Sequence, residues 1–242
     1  MNILLATPLY ERPEADTVQS VEATRDALLA RGDYVQPWRL IRAGLVHESR
    51  NIICRMFLES QCDVLVQIDH DHVWKAEDLI ATIDFVGKSG LAHVCGFAHP
   101  YKRSWAKGMA SPRFLKERPI PRVVYEGRAY LEVDVVGGGI LVTSRRAIEL
   151  STEKARTLDD GSRAPFDIRA GYGEDVWFCR EWRKLGGTIY CALEADIGHI
   201  GPFVYRADFP KELAAMEAKE AEIARVKAEK PLSRLRPPGD ET

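Results

Sequence analysis

The sequence DVLVQIDHDH, residues 63–72, joins a run of apolar and β-branched residues to a string of aspartates and histidines. Residues 63–69 favour a β-strand, because β-branched and aliphatic side chains pack well on a pleated surface. The acidic end of the run lies where this strand should stop. The segment therefore predicts a strand that carries polar side chains at its carboxyl end.

Strand and helix patterns alternate on both sides of this segment. Apolar runs predict strands, whereas apolar residues at three- and four-residue spacing predict helices. The predicted strands are residues 2–6, 34–40, 63–69, 92–97 and 188–193, and residues 130–143 are rich in strand around a bend at Gly137-Gly138-Gly139. The predicted helices are residues 17–31, 47–61, 79–89, 145–152, 174–185 and 210–230. This alternation is typical of an α/β fold with a Rossmann-like, mixed and mostly parallel sheet flanked by helices. We expect one domain over residues 1–205, a charged C-terminal helix over 206–230 and a disordered tail over 231–242.

The composition limits the possible classes of protein. The chain has 242 residues and a formal net charge of −2, so no overall basic field points to nucleic acid. Its five cysteines are widely spaced without a CxxC pair, which favours buried, reduced thiols over a zinc ribbon or disulfide framework. We find no signal peptide and no run of 18 apolar residues, so we expect a soluble, cytoplasmic protein.

The motif Asp69-His70-Asp71-His72 is the first candidate site. In an extended chain the side chains alternate, so both aspartates should point one way and both histidines the other, away from a metal. Two carboxylates at the carboxyl end of a strand in an open α/β sheet lie where ligands bind, and they favour a hard cation. The alternatives are a polar turn, or a zinc site that uses both histidines, which the alternation disfavours.

Two later segments carry further candidates. Glu174 and Asp175 open a predicted helix, where they either complement the helix dipole or provide a carboxylate that accepts a proton. His199, between two glycines in GHIG, is a metal candidate only in the company of Asp71. Gly137-Gly138-Gly139 indicates backbone close to something bulky, or a bulge, and it does not match the dinucleotide fingerprint GxGxxG.

Basic residues supply the remaining candidates. Arg50 and Asn51 near the start of the second helix either place a cation and an amide by the site or lie on the surface. Residues 101–128 contain eight Lys or Arg against two Glu, a net charge of +6. Within them, Lys102, Arg103 and Trp105 would bind a diphosphate or a polyanionic acceptor, and the alternative is a solvated loop.

Taken in order, these motifs resemble the GT-A-fold glycosyltransferases. The resemblance covers about residues 1–205. It is carried by an N-terminal strand ending in Thr-Pro, an Arg-Asn helix, a strand ending in DHD, a Gly-rich strand followed by SRRAIE, then GEDVWFCREWRKLGG and GHIG. The N-terminal ILLATPLYE departs from the VSVIIPTYN-like start of the commonest branch. The sequence also has no QxxRW element, which favours transfer of a single sugar over polymer synthesis.

The resemblance implies roles for particular residues. Asp71 would bind the metal, Asp69 would face the ribose or share the metal shell, and His199 would be the late third protein ligand. Mn²⁺ would be the cofactor, with Mg²⁺ possible. Asp175 would be the catalytic base of an inverting enzyme, and Glu174 would contact sugar or acceptor hydroxyls. The residues implied to bind the donor are Thr7, Pro8, Tyr10, Arg50, Asn51, Gly138 and Gly139.

The predicted reaction moves one sugar from a nucleotide-diphosphate sugar, a UDP- or GDP-sugar, to an acceptor hydroxyl. The acceptor would be a glycan, a phosphate-bearing molecule or modified DNA. Two other classes stay open. A nucleotidyltransferase would share the α/β sheet but usually carries glycines after the first strand, which LLATPLYERPE lacks. A binding module without turnover would keep the metal and nucleotide contacts alone.

Overall fold

A computed structural model describes residues 1–100, 109–114, 119–169, 171–206 and 208–229. The chain divides into two compact units, residues 1–207 and residues 208–242. The first unit contains the sheets and five of the helices. The described residues of the second unit form a single helix.

The helices begin and end close to the predicted positions. Their bounds are α1 (Ala15–Ala30), α2 (Val46–Glu59), α3 (Ala76–Lys88), α4 (Arg145–Lys154), α5 (Glu174–Lys184) and α6 (Phe209–Glu229). Ser144 caps α4, because its hydroxyl accepts a hydrogen bond from the Ala147 N–H at 3.3 Å. No helix in the described ranges is both long and apolar enough to cross a membrane.

The strands include several short ones that the sequence patterns do not predict. The strands are β1 (Asn2–Pro8), β2 (Tyr34–Val35), β3 (Arg39–Ile41), β4 (Val64–Ile68), β5 (His72–Val73), β6 (Val94–Phe97), β7 (His99–Pro100), β8 (Met109–Ser111), β9 (Arg113–Phe114), β10 (Arg122–Tyr125), β11 (Arg128–Val135), β12 (Ile140–Ser144), β13 (Arg156–Thr157), β14 (Arg163–Ala164), β15 (Tyr190–Ala192), β16 (Gly198–Ile200) and β17 (Val204–Tyr205).

The main sheet has the strand order β10-β11-β15-β6-β12-β4-β1-β2, with β3 beside β1 and β9 beside β11. Strand β1 pairs in parallel with β2, β3 and β4, and β6 pairs in parallel with β15. Strand β12 is antiparallel to both of its neighbours, β4 and β6. The carboxyl ends of β1, β4 and β6 and the amino end of β12 therefore share one edge of the sheet, which is where ligands bind in such folds.

Burial of β4 on both faces of the sheet explains why its sequence is a nearly continuous apolar run. Val64, Leu65, Val66 and Ile68 are each buried, as are the helix side chains that cover the sheet, such as Leu79 and Ile83 of α3. A strand in the middle of a helix-covered sheet has no solvent-facing side, so alternation is absent.

The predicted α/β class is confirmed: a mixed, mostly parallel, Rossmann-like sheet carries helices on its faces, and a C-terminal helix follows. The predicted strand at 34–40 is instead two short strands, β2 and β3, separated at residues 36–38, where Pro37 has no N–H to donate to a strand pairing. The predicted disordered tail, residues 231–242, lies outside the described residues.

Candidate active site

The polar motif after β4 lies in a turn rather than in an extended strand. Strand β4 ends at Ile68, the chain turns at His70 and Asp71, and β5 begins at His72. The Thr17 hydroxyl of α1 fixes this turn by donating to the carbonyl oxygens of His70 and His72, at 3.0 and 2.8 Å. The turn decides which side chains of the motif meet.

Strand β5 then pairs with β16, and this pairing brings the distant histidine to the motif. In the antiparallel register His199 lies opposite His72. The Ile200 N–H also donates to the Asp71 carbonyl at 2.7 Å. A three-stranded sheet of β17, β16 and β5 thus places residue 199 beside residues 71 and 72.

Asp71, His72 and His199 form a cluster of possible metal ligands, with one ligand atom from each lying within 4.8 Å of the others. The His72 Nδ1 atom is 3.0 Å from Asp71 Oδ1, and the His199 Nε2 atom is 3.5 Å from Asp71 Oδ2. The two imidazole rings stack with centroids 4.4 Å apart. Of the three residues predicted to hold the metal, the cluster contains Asp71 and His199 and adds His72. The third, Asp69, lies outside the cluster and accepts a hydrogen bond from Arg50 instead.

The prediction that the His72 side chain points away from the Asp71 carboxylate is wrong. It assumed an extended chain through residues 69–72, and the turn at His70 and Asp71 breaks the alternation of side chains. The two histidines of the motif differ in burial. His70 is half-buried, whereas His72 is 1% exposed.

A third histidine packs against this cluster. The His99 ring meets the rings of His72 and His199 edge-on, with centroids 5.0 and 5.7 Å apart. Burial, together with the nearby imidazoles of His72 and His199, lowers the pKa of His99 to about 3, so this ring is neutral near pH 7. Sequence reasoning missed His99, although its position two residues after β6 puts it at the same sheet edge as Asp69.

Arg50 is the buried centre of a second, adjoining group. Its side chain is 1% exposed. Its guanidinium donates to Asp69 Oδ1 at 2.7 Å, to Glu174 Oε1 at 3.2 Å and to the Gly138 carbonyl at 3.0 Å. Arg50 therefore joins the end of β4, the turn before β12 and the start of α5. Of the two readings from sequence, proximity to the site and surface exposure, the structure agrees with the first.

The carboxylates around Arg50 outnumber the cation. Burial raises the pKa of Asp69 to about 7, with Arg50 opposing the shift and Asp71, Glu174 and Asp175 adding to it. The pKa of Arg50 is raised in turn, because the attraction of these carboxylates outweighs its own burial. Such an excess of negative charge is relieved by a bound cation.

Asp175 and Glu174 are held differently although they are neighbours in α5. Glu174 is ion-paired with Arg50. Asp175 accepts hydrogen bonds from two backbone N–H groups, that of Gly138 at 3.0 Å and that of Val176 at 2.6 Å. These bonds fix the carboxylate of Asp175 at the edge of the sheet while leaving it acceptor capacity for a substrate hydroxyl.

Gly138 and Gly139 were expected to let a substrate approach the backbone, and that expectation stays a prediction. In the structure the space beside each glycine is occupied by a side chain of the protein. A methyl group on Gly138 would lie 2.5 Å from Arg50 Nη2, and one on Gly139 would overlap the His72 ring. Both glycines are thus needed for the packing of the site itself.

A pocket of about 440 Å³ extends from the aspartates to the N-terminal loop. Two of the residues predicted to contact the nucleoside, Pro8 and Tyr10, line it, and Tyr10 is 76% exposed. The full lining is Pro8, Leu9, Tyr10, Ala43, Leu45, Val46, Ser49, Asp69, His70 and Asp71. The pocket therefore has an apolar end and an acidic end.

Two other residues predicted to bind the sugar donor, Thr7 and Asn51, use their polar groups in hydrogen bonds within the protein. The Thr7 side chain is buried, and its hydroxyl accepts a hydrogen bond from Trp38 Nε1 at 3.0 Å. The Asn51 amide donates to the Phe166 carbonyl at 2.8 Å and accepts from the Phe166 N–H at 3.0 Å. Asn51 thus anchors the segment that leads into α5. The predicted acceptor residues Lys102, Arg103 and Trp105 lie outside the described residues.

Comparison of the sequence with protein-family models and with curated proteins finds no match. Among solved structures, A197 from STIV is 20% identical, with a TM-score of 0.52 over 83% of this chain and 86% of that chain. A Drosophila beta-1,4-galactosyltransferase 7 mutant, in complex with manganese, UDP-Gal and xylobiose, is 15% identical, with a TM-score of 0.45 over 79% of this chain and 64% of that one. The inositol-1-phosphate CTP transferase from T. maritima is 10% identical, with a TM-score of 0.41 over 82% and 88%. Structural neighbours thus include glycosyltransferases and nucleotidyltransferases, and the likeness concerns the fold.

Proposed function

We propose that this protein is a metal-dependent glycosyltransferase that moves one sugar from a nucleotide-diphosphate sugar to an acceptor hydroxyl with inversion. One observation carries the proposal. The cluster of metal-ligand side chains, the candidate base and the pocket all lie around one edge of the sheet. The Asp69–Asp71 turn lines the pocket and also supplies the carboxylate of the metal cluster.

The side chains of the Asp71, His72 and His199 cluster suit a divalent cation. Asp71, His72 and His199 offer one carboxylate and two imidazoles, and Asp69, Glu174 and Asp175 surround them with further negative charge. Carboxylate and imidazole ligands suit Mn²⁺ and related divalent ions. When bound, such a cation neutralises charge that develops on the diphosphate leaving group. Asp71, His72 and His199 would hold it.

The pocket suits the nucleoside half of the donor. Pro8, Tyr10, Leu45 and Val46 give it an apolar wall, and all but Pro8 are among the exposed large hydrophobic side chains of the protein. An exposed aromatic ring at the mouth of a pocket is suited to stacking on a nucleobase. A nucleotide bound in this way would have its diphosphate at the acidic end of the pocket, beside the proposed metal ligands. Asp69 lies on this path and would meet the ribose.

Asp175 would accept the proton of the attacking hydroxyl. Two backbone N–H groups hold its carboxylate, whereas Glu174 is engaged with Arg50. A positioned carboxylate of this kind acts as a general base when the hydroxyl proton lies within hydrogen-bonding distance. Glu174 would contact hydroxyls of the sugar or acceptor, and Arg50 would keep Asp69 and Glu174 at the sheet edge.

The proposal that the sugar donor is a nucleotide-diphosphate sugar is tested first by thermal unfolding with nucleotides. UDP or GDP should raise the midpoint of unfolding only when Mn²⁺ is present, because a ligand that binds the folded state alone stabilises it. Asp71→Asn should abolish the shift, whereas Asp63→Asn, at the opposite end of β4, should retain it. No shift with any nucleoside diphosphate, with or without Mn²⁺, would refute the proposal.

The stereochemistry is tested with a panel of UDP- and GDP-sugars. NMR of the first product formed should show an anomeric configuration opposite to that of the donor. A product with retained configuration would exclude Asp175 as the base of a direct displacement, since a single displacement inverts the centre. The acceptor, whether a glycan, a phosphate-bearing molecule or modified DNA, would be identified by the same assay with each class supplied.

A further inference from the structure

We infer that His72 is a direct ligand, and that the cation site is a two-imidazole, one-carboxylate site selective for borderline transition ions over Mg²⁺. The inference concerns the cation of the proposed function, but it rests on the geometry of Asp71, His72 and His199. The DxD pattern in the sequence gives no reason to include His72, because it places the ligands on alternate residues.

The two imidazoles approach opposite oxygens of one carboxylate. His72 Nδ1 lies 3.0 Å from Asp71 Oδ1, and His199 Nε2 lies 3.5 Å from Asp71 Oδ2. In an octahedral shell, ligand atoms about 2.1 Å from the metal ion lie about 3 Å apart when adjacent and about 4 Å apart when opposite. The ligand atoms of the cluster lie within 4.8 Å of one another, which is somewhat more than the spacing around a bound ion. Small shifts of the Asp71 and His199 side chains would bring all three ligand atoms onto one ion.

His199 turns its Nε2 atom toward Asp71, and this nitrogen is free of a proton and able to bind a metal ion. Its Nδ1 atom is 2.9 Å from the Pro100 carbonyl oxygen, which only accepts hydrogen bonds. The proton of the neutral ring therefore lies on Nδ1, and Nε2 offers its lone pair toward Asp71. A metal-bound histidine commonly donates its second ring nitrogen to a carbonyl in this way, which fixes both the tautomer and the ring orientation.

The His72 ring is closely packed on several sides. It is 1% exposed, it stacks on the His199 ring, and the edge of His99 closes a further side. Gly139 lies so close to the Nε2 edge of His72 that a methyl group there would overlap the ring. The ring is thus confined with its Nδ1 edge toward Asp71. A preformed site of this kind loses little conformational entropy when a cation binds.

The donor atoms determine which cation is preferred. Mg²⁺ favours an octahedral shell of oxygen atoms and gives up its water reluctantly. Imidazole nitrogens favour transition ions, with affinity rising from Mn²⁺ to Co²⁺ for a given set of ligands. With two nitrogens among three protein ligands, the site should bind Co²⁺ and Mn²⁺ more tightly than Mg²⁺.

The first experiment counts nitrogen ligands on the unmodified protein without nucleotide. Electron spin-echo spectroscopy of the full chain loaded with Mn²⁺ should show couplings to two imidazole nitrogens. A spectrum with one nitrogen or none, or failure to bind Mn²⁺ at millimolar concentration, would overturn the inference. This measurement needs no variant, so it decides the question even if substitutions at position 72 unfold the protein.

The second experiment compares cations by calorimetry with Co²⁺, Mn²⁺ and Mg²⁺. His72→Asn keeps a polar atom near the position of Nδ1 but removes the nitrogen ligand. Loss of a group that orients a metal ligand costs about 10–100-fold in affinity. Loss of a direct ligand should cost at least as much, so Co²⁺ should bind the variant at least about tenfold more weakly. The preference over Mg²⁺ should shrink with it. His93→Asn, just before β6 at the opposite end of the sheet, should leave the order and the affinities unchanged.

The outcomes separate this inference from the proposed function. Two nitrogen couplings without turnover of any nucleotide sugar would retain the metal site and reject the transferase. Sugar transfer by a protein that binds Mg²⁺ and Co²⁺ equally, with one nitrogen coupling, would retain the transferase and reject His72 as a ligand.

Discussion

Arg50 of α2 and Glu174 of α5, 124 positions apart in the sequence, are joined by a hydrogen bond of 3.2 Å inside the protein. The same guanidinium binds Asp69 at 2.7 Å, so one buried cation connects the end of β4 to the first turn of α5. The Gly138 N–H then donates to Asp175. The candidate base and the acidic turn of the pocket are in this way parts of one hydrogen-bonded group.

Replacing Arg50 with Met should destabilise the fold as well as the site. The substitution leaves Asp69 and Glu174 without their cation, and breaking a buried pair costs about 3–5 kcal/mol in the free energy of unfolding. Urea denaturation measures this loss. Arg55→Met, on the same helix but with a 45% exposed side chain, should cost less than about 1 kcal/mol. Equal effects of the two changes would contradict a central role for Arg50.

Asp175→Asn should separate binding from chemistry. The amide oxygen still accepts a backbone hydrogen bond, but the side chain no longer takes a proton, so transfer should fall by about 10²–10⁴. The Mn²⁺-dependent thermal shift with nucleoside diphosphate should stay as in the wild type. Glu181→Gln, later in α5, should retain activity. Substantial transfer by the Asp175 variant would assign the base to another residue.

Gly139→Ala should weaken metal binding without changing a ligand. The added methyl group overlaps the Nε2 edge of the His72 ring, so the ring must move away from its place beside Asp71. We expect Co²⁺ affinity to drop at least about tenfold, the loss seen when groups that orient a ligand are removed. Gly44→Ala meets only the flexible end of Glu48, at 3.3 Å, and should bind Co²⁺ normally. Unchanged affinity in the Gly139 variant would show that this contact does not position His72.

Most of the fold follows from local pattern, for a physical reason. The long helices and the apolar strands β1 and β4 each carry their own periodicity or run of buried side chains, so each is recognisable alone. Strands β5 and β16, of two and three residues, carry no such signal. They exist because they pair with each other, and pairing between distant segments is invisible in a window of sequence.

The same limit explains what the sequence reveals about the site. Motif order in the sequence makes Asp71, His199 and Asp175 candidates for the site. His72 is assigned to the wrong side because the rule of alternation holds only for extended chain, and the turn fixed by Thr17 is a tertiary effect. Asn51 resembles a ligand contact in sequence, but its amide is engaged by the Phe166 backbone. A side-chain amide can hydrogen-bond either to the protein backbone or to a substrate, and the sequence does not show which of the two it binds.

The basic segment 101–128 makes salt dependence a test of the acceptor. Its net charge of +6 would attract a polyanion, although the described Arg128 is already paired with Asp78 at 2.6 Å. With a polyanionic acceptor, activity should fall by roughly a decade or more over a few-fold rise in salt. Replacing both Lys102 and Arg103 with Ala should make this dependence shallower. Activity that is insensitive to salt would favour an uncharged glycan.

Asp69 gives the metal-free protein a defined dependence of stability on pH. Its pKa is raised to about 7, chiefly by burial, whereas an aspartate in the unfolded chain has a pKa near 3.9. Between about pH 4 and pH 7 the folded state therefore binds more protons than the unfolded state, and its stability falls as the pH rises. Above pH 7 both states are ionised and this contribution stays at its minimum. Asp69→Asn removes the ionisation while its amide oxygen still accepts from Arg50. In EDTA, the free energy of unfolding should thus decline less between pH 5 and pH 7 in the variant than in the wild type. An equal or steeper decline in the variant would show that Asp69 is ionised throughout this range.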